Sequence, residues 1–361
     1  MSGDTFAVIA GGGTAGHVTP GVAVARALVE RGHAPESLHF VGAERGVEAD
    51  VVPAAGFPLT LLPGRGIQRR LTLANVGAAA GLVVAVFRSI GLVRRLRPQV
   101  VLATGGFASV SCVVAAVLWR VPVVVAEQNA VPGAANRLAS RVARACAVSF
   151  EGTPLRKATL TGNPVRAEIL DAVQAAPPSA APAAPARVLV FGGSLGAKRI
   201  NETVLALVGS SDLPMRVRHV IGRRDWPGMS ERAAALASTA DYEPLAYEDD
   251  MASTLVATDL AVCRAGASTV AELAVTGTPS VLIPLPGAPG DHQTANARGL
   301  ESIGAAVVVA DAELDADRLD AVLAELVGDP DRLREMAGAA RRFARPDAAD
   351  RVAALVEEHA R

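Results

Sequence analysis

Twice along this chain a short apolar run ends in a cluster of glycines. Phe6–Ala10 runs into Gly11-Gly12-Gly13-Thr14-Ala15-Gly16-His17, and Val188–Phe191 runs into Gly192-Gly193-Ser194-Leu195-Gly196-Ala197. A β-rich run, a glycine turn and a helical pattern together open a βαβ unit. Two such openings, one in each half, call for two units, and 361 residues exceed what a single core of roughly 250–300 residues accommodates. Strand-like runs recur at Leu38–Val41, Val100–Ala103, Val121–Ala126, Val217–Ile221, Leu260–Cys263, Val281–Pro284 and Ala306–Val309, with helical patterns such as Gly21–Arg31 and Thr269–Thr276 between them. This alternation predicts an α/β fold of two Rossmann-like, doubly wound parallel sheets covered by helices. Ligands are then expected at the carboxyl ends of the strands, in a cleft between the domains. The uncharged run Gln174–Ala186, with four prolines, reads as a semi-rigid interdomain linker. The expected domains are 1–165 and 166–361, with the last helix, Ala348–Ala360, packing on either one.

A formal charge of −1 argues against a nucleic-acid partner, and 3% aromatic residues leave little for stacking bases. Cys112, Cys146 and Cys263 match no zinc spacing and suggest a reducing compartment. The apolar run Val76–Phe87 stops at Arg88, short of the roughly 20 residues a spanning helix needs. The mean charge hides an asymmetry. Residues 51–126 contain no Asp or Glu but eight arginines, namely 65, 69, 70, 88, 94, 95, 97 and 120. That is the pattern of a basic, apolar face meeting an anionic membrane surface. Chance in an Arg-rich chain is the alternative, in which Val76, Val83, Phe87 and Ile90 are ordinary core.

The first glycine cluster satisfies G-x-G-x-x-G, but no acidic residue stands where a dinucleotide's ribose would need it, since Glu44 and Asp50 both fit poorly. No P-loop lysine follows. His17, after the turn, is either a helix cap or a general base. Thr104-Gly105-Gly106-Phe107-Ala108-Ser109 and Glu127-Gln128-Asn129 follow further strands; they are turn formers or, taken together, a site. Gly162-Asn163-Pro164-Val165-Arg166 is an Asn-Pro turn whose arginine could reach a phosphate. The second glycine cluster could stabilise a diphosphate through backbone amides and a helix N-terminus. Cys263-Arg264-Ala265-Gly266-Ala267-Ser268-Thr269-Val270-Ala271-Glu272 sets Glu272 one turn into a helix, as dipole compensation or as a ribose ligand. Asp291-His292-Gln293-Thr294-Ala295-Asn296 gathers sugar-sized hydrogen-bonding groups at a helix start, with Asp291 as its N-cap or more. Two Asp-x-Asp pairs, Asp315/Asp317 and Asp329/Asp331, fall in late helical segments and read as unrelated to catalysis.

Taken in order, GGGTAGHVTPG, the GRG around Arg65, TGGFAS, EQNAVPG, GNPVR, GGSLGA, DDM, CRAGASTVAE and DHQTANA resemble the motifs of the MurG family of GT-B glycosyltransferases. The resemblance runs from about residue 10 to 300. It implies an inverting transfer of N-acetylglucosamine from UDP-N-acetylglucosamine to the 4-hydroxyl of lipid I, giving lipid II. It implies no cofactor and no metal, and a peripheral place on the cytoplasmic face of the bacterial cell membrane. By the resemblance, residues 166–361 bind the donor. Ser194 and its loop hold the diphosphate with help from Arg166. Ala267, Ser268, Thr269, Val270 and Ala271 line the nucleotide, and Glu272 takes the ribose hydroxyls. His292 and Gln293 contact the sugar, and the backbone near Glu248 reads uracil. Thr14, Ala15, Gly16 and Asn129 are further donor candidates. Residues 1–165 bind the acceptor through Gly13, His17, Thr104, Gly105, Gly106, Ser109 and Asn129. The base is His17, with Glu127 as its rival. Leu195, Glu248 and Gly287 depart from the family pattern at positions that touch donor contacts rather than the catalytic logic. A UDP-N-acetylglucosamine 2-epimerase, an NAD-dependent oxidoreductase and a non-catalytic sugar-nucleotide binder are the competing readings.

Overall fold

The computed structural model describes residues 5–44, 46–64, 73–176, 183–193, 196–237 and 241–361, the side chains of 73–80 excepted. The chain divides into two compact units, Met1–Arg166 with Arg345–Arg361, and Ala167–Ala344.

The first unit runs β1 (Ala7–Gly11), α1 (Ala15–Glu30), β2 (Leu38–Ala43), α2 (Glu48–Ala54), β3 (Leu59–Leu62), α3 (Leu73–Leu96), β4 (Val100–Gly105), α4 (Gly106–Leu118), β5 (Val123–Glu127), α5 (Ala134–Ala139), β6 (Ala145–Val148) and β7 (Ala158–Leu160). Its seven strands are parallel, in the order β3-β2-β1-β4-β5-β6-β7. Both faces of the sheet are buried. Ala7 and Ile9 of β1 enter one core, and Val8 and Ala10 enter the other. That is why these strands read as continuous apolar runs rather than as alternating ones.

The second unit runs α6 (Ala167–Ala175), β8 (Ala186–Phe191), α7 (Lys198–Val208), β9 (Met215–Val220), α8 (Ser230–Ala237), β10 (Tyr242–Leu245), α9 (Met251–Val256), β11 (Leu260–Cys263), α10 (Ala267–Thr276), β12 (Ser280–Leu282), α11 (His292–Glu301), β13 (Ala306–Val308), α12 (Ala316–Val327) and α13 (Pro330–Phe343). Its order, β10-β9-β8-β11-β12-β13, repeats the doubly wound pattern. The last helix, α14 (Ala348–His359), belongs to the first unit. Val352, Ala353 and Val356 share a core with Val22 and Ala25 of α1. Arg31 at the end of α1 pairs with Asp350 and Glu357 at 2.7 Å each.

Several expectations are corrected. The chain crosses between units at Arg166/Ala167, so Arg166 falls in the first unit, and the last helix, left open between the two, joins the first. The Ala/Pro run is not the linker: it lies inside the second unit, between α6 and β8, with residues 177–182 outside the described residues. Helix α1 begins at Ala15 rather than Gly21 and continues through Pro20, whose missing N–H costs one bond to the Gly16 carbonyl. Asp315 and Asp329 cap α12 and α13, each accepting a backbone N–H at 2.8 and 3.0 Å.

Candidate active site

In each sheet the strand order reverses beside the strand that precedes a glycine cluster. In the first unit that point lies between β1 and β4, and in the second between β8 and β11. Open α/β sheets bind ligands at this switch point, outside the carboxyl ends of the strands. The turns that follow β1 and β4, and those that follow β8 and β11, thereby become spatial pairs.

In the first unit, β1 ends under Thr104 of β4. A Cβ on Gly11 would lie 1.8 Å from Thr104 Oγ1, and one on Gly106 would lie 2.3 Å from the Gly12 carbonyl oxygen. Gly105 and Gly106 have φ of 108° and 83°, a region that favours glycine. The two turns can therefore touch only because both are made of glycine. Gly13, Thr14 and Ala15 are exposed, and Gly16 and His17 are half-buried in the first turn of α1. His17 Nδ1 lies 3.3 Å from the Gly12 carbonyl oxygen and 3.2 Å from Thr14 Oγ1. A carbonyl only accepts, so Nδ1 donates and Nε2 becomes the basic nitrogen. The ring lies over Gly105, where an added Cβ would come within 3.0 Å of Nε2. His17 is therefore not a helix cap; it is a histidine whose tautomer is set by the loop that carries it.

Glu127 is different. It ends β5 at 3% exposure, and its two carboxylate oxygens accept four hydrogen bonds. Oε1 takes the Asn129 amide at 3.0 Å and its Nδ2 at 3.2 Å; Oε2 takes the Gly133 amide and Asn136 Nδ2, both at 3.0 Å. The EQNAVPG loop is folded around this carboxylate. Thr104 and Ser109 also differ from expectation. Both are buried, Thr104 reaching toward the Ala10 carbonyl and Ser109 lying on the inner face of α4, so neither presents its hydroxyl at the surface of the turn.

In the second unit, β8 leads through Gly192 and Gly193 into α7; Ser194 and Leu195 lie outside the described residues. Gly193 and Gly196 have positive φ, 95° and 79°. The turn rests on an internal chain. Asn201 Nδ2 donates to the Ile221 carbonyl at 2.9 Å and to Asp225 Oδ2 at 3.1 Å, and its oxygen meets His219 Nε2 at 3.0 Å. Because the Asn201 oxygen only accepts, His219 carries its proton on Nε2 and receives the Tyr242 hydroxyl at Nδ1, 2.9 Å away. Burial pushes His219 down to about 3, so the ring is neutral.

Beyond β11, Asn296 of α11 donates to the Ala265 carbonyl at 3.1 Å and fixes the small-residue turn. Arg264 ties that turn to the Ile283 and Pro284 carbonyls and to Asp311 Oδ1, at 3.1, 3.2 and 2.6 Å. Ala267 and Val270 are core residues, so they offer a ligand backbone rather than side chains. Ser268, Thr269, Ala271 and Glu272 are half-exposed on the first turns of α10. Gln293 Oε1 accepts the Leu285 amide at 2.9 Å, and His292 Nδ1 donates to the Pro289 carbonyl at 2.9 Å, joining α11 to the proline-rich loop. Asp291 stands at the N-cap with φ 55°, yet its carboxylate accepts the Thr294 hydroxyl rather than a backbone N–H. Glu248 turns inward: Arg218 lies 2.7 Å from Oε2 and the Asp250 amide 3.1 Å from Oε1. Burial opposes its ionisation, but Arg218 and that amide prevail and hold the carboxyl below the usual carboxylate range.

Sequence reasoning missed Asn136 and Glu48, which belong to no recognisable local motif; Asn296, grouped with the sugar-sized ligands of DHQTANA, instead turns its amide to the Ala265 carbonyl.

With this geometry in view, the comparisons with known proteins are decisive. The glycosyltransferase family 28 N-terminal domain matches residues 7–148, and the glycosyltransferase family 28 C-terminal domain matches residues 187–352. The chain is 43% identical over 357 residues to the UDP-N-acetylglucosamine–N-acetylmuramyl-(pentapeptide) pyrophosphoryl-undecaprenol N-acetylglucosamine transferase of Alkalilimnicola ehrlichii, covering 98% of this chain and 99% of that one. The chain belongs to glycosyltransferase family 28, among its MurG members. The enzyme of the same name from Anaeromyxobacter dehalogenans is 40% identical over 361 residues, covering 97% of this chain and 92% of that one. The crystal structure of Acinetobacter baumannii MurG superposes with a TM-score of 0.79 at 30% identity, covering 98% of this chain and 99% of that one. A putative UDP-N-acetylglucosamine 2-epimerase from Listeria monocytogenes matches with a TM-score of 0.69 at 15% identity, covering 99% and 97%, a likeness of fold alone. The two parallel-sheet units are those of a GT-B glycosyltransferase, and the chain is an enzyme of the MurG family.

Proposed function

We propose that the chain transfers N-acetylglucosamine from UDP-N-acetylglucosamine to the 4-hydroxyl of the muramoyl sugar of lipid I, with inversion, giving lipid II. The activity by which its full-length relatives are named supports this substrate pair. The single structural observation that carries the mechanism is the bond between His17 Nδ1 and the Gly12 carbonyl, which makes Nε2 the basic nitrogen at the switch point. In the proposed step the acceptor oxygen bonds to the anomeric carbon as the bond from that carbon to the diphosphate breaks. The hydroxyl proton passes to His17 Nε2, and the electron pair leaves with UDP. The turn at Gly192–Gly196 and the start of α7 would stabilise the charge on the leaving diphosphate. Glu272 remains our candidate for the ribose, and His292 and Gln293 for the sugar. Thr14, Ala15, Gly16, Asn129 and Arg166 belong to the first unit, and only the resemblance supports their assignment to the donor.

The test is transfer of labelled N-acetylglucosamine to a short-chain lipid I analogue, with EDTA present. Wild type should transfer, and His17→Ala should lose about a hundredfold or more in kcat. Sugar epimerised from donor alone, without transfer, would sink the proposal.

We further infer peripheral attachment to the cytoplasmic face of the membrane. Among the described residues no helix is long and apolar enough to cross one. On the outer side of α3, Phe87 is 70% exposed and Val83 55% exposed, so these are not core side chains. On α4, Val114, Val117 and Leu118 are exposed as well, and Arg94 of α3 lies over the Trp119 ring at 5.5 Å. A basic, apolar face of this kind suits anionic lipid. Phe87→Ser combined with Leu118→Ser should reduce sedimentation with anionic vesicles several-fold while leaving kcat on a water-soluble acceptor unchanged. Unchanged sedimentation would remove this face from consideration.

A further inference from the structure

The first glycine turn stands on a carboxylate that the reaction described above does not use. Glu48 opens α2 and is 1% exposed. Its Oε1 accepts the Gly13 amide at 2.7 Å and the Ala43 amide at 3.2 Å. Room for it is made by glycine: a Cβ on Gly12, Gly42 or Gly46 would lie 1.9, 2.8 or 1.6 Å from a Glu48 side-chain atom. The Gly13 amide and the Gly12 carbonyl belong to one peptide unit, and that carbonyl is the acceptor of His17 Nδ1–H. Carboxylate, peptide and imidazole therefore stand in series. Glu48, His17 and Thr104 also line one cavity of about 10 Å³.

Hydrogen bonds in a chain polarise one another. A carboxylate drawing on the N–H of a peptide makes its carbonyl a better acceptor, which in turn favours the Nδ1–H tautomer and positive charge on the ring. We propose that Glu48 is a positioning residue for proton transfer, acting on His17 through the Gly12–Gly13 peptide. It holds Nε2 as the basic nitrogen and stabilises the imidazolium formed when Nε2 takes the acceptor proton. A second consequence concerns the turn itself. Its Gly13 amide is occupied by a carboxylate from below, so this turn is not built to cradle a phosphate at that amide.

Among the described residues, Glu127 on β5 accepts from Asn136 of α5, which lies beside Gly105. On α14, Asp350 and Glu357 serve Arg31 and His33 at the far end of α1. Thr14 is uncharged, and β4 contributes Thr104 and Gly105.

The inference rests on His17 being the base, and the experiment separates the two. The pH profile of kcat at saturating substrates is measured for wild type, Glu48→Gln, Glu48→Asp and His17→Ala. Glutamine keeps an oxygen for the Gly13 amide but removes the charge. Without that charge the protonated ring is less favoured, so the acidic limb of Glu48→Gln should move to lower pH by about half a unit to one unit. Its plateau should fall roughly tenfold, and the KM for UDP-N-acetylglucosamine should stay within about twofold. Glu48→Asp should fall between. A uniform loss of activity with the limb unmoved means that Glu48 only supports the fold, and it overturns the inference. If His17→Ala retains wild-type activity, the base assignment itself fails. Nitrogen-15 shifts of the wild-type His17 ring need no variant: a neutral ring protonated on Nδ1 is expected, and one protonated on Nε2 overturns the inference even if Glu48→Gln does not fold.

Discussion

At the scale of single residues, surroundings rather than residue type decide what a titratable side chain does in this site. By residue type either His17 or Glu127 could take a proton, with His17 preferred and Glu127 its rival. Their surroundings separate them. The Glu127 oxygens are filled by four donors from Asn129, Gly133 and Asn136, which is how an anion organises a loop rather than how a base awaits a substrate. Glu127→Gln supplies one oxygen where two are needed and turns an amide NH2 toward other donors. Leaving buried donors unsatisfied in this way should cost about 2–4 kcal/mol. The measurable result is a lower unfolding midpoint, while the folded fraction keeps the wild-type acidic limb in its pH profile. A stably folded Glu127→Gln protein that lost both kcat and that limb would reinstate the carboxylate as base. Neither outcome could be foreseen from the motif, because the saturating donors include Asn136, which sits nine positions along the chain and is brought in by α5.

At the scale of elements, what the sequence made legible was the set of strands that enter the sheets most deeply. β1, β4 and β8 are apolar runs ended by glycine, β5 and β11 are apolar runs ended by Glu127 and Cys263, and all five flank or adjoin the two switch points; β2, β9, β12 and β13 were legible as well. The strands it did not show, β3, β6, β7 and β10, have only three or four residues each, and β10 contains Glu243 and Pro244 on an edge where a missing N–H is tolerated. The polar chain that supports the second glycine turn was equally hidden, since His219, Asn201 and Tyr242 come from β9, α7 and β10. Its neutral histidine has a consequence for pH. With His219 down at about 3 in the folded state and near the ordinary 6.5 in the unfolded chain, the unfolded state binds the extra proton between those values. Stability must therefore fall on acidification through that window, by about 1.4 kcal/mol per unit from this one group. Urea unfolding at pH 7, 5.5 and 4 should show this slope in the wild type. In His219→Gln the slope should flatten by about that amount. Identical slopes in the two proteins would mean that the ring is protonated in the fold.

At the scale of the whole molecule, the chain leaves its first unit at Arg166 and returns to it at Arg345. A boundary drawn along the sequence cannot express that return. The last helix reads as an ordinary amphipathic pattern; its partner is fixed by the complementary face of α1, where Val352, Ala353 and Val356 meet Val22 and Ala25. Burial of each larger side chain of this kind stabilises by about 1.5–3 kcal/mol, so the docking of α14 belongs to the stability of the first unit. The ion pairs at its edge add orientation. The hydrogen bond from Arg31 holds Glu357 below the usual carboxylate range, and that contribution is present at neutral pH and lost as pH falls through the folded-state value. Removing Arg345–Arg361 should therefore damage a sheet far away in sequence while sparing the unit next to the cut. Amide hydrogen exchange after the truncation should show β1 and β4 losing protection, with β8 and β11 keeping theirs. Because His17 sits at the end of β1, transfer activity should disappear with the first pair, even though every residue proposed to touch either substrate is still present in the shortened chain. Equal loss of protection in all four strands would instead make the molecule one cooperative unit, whose stability α14 serves as a whole.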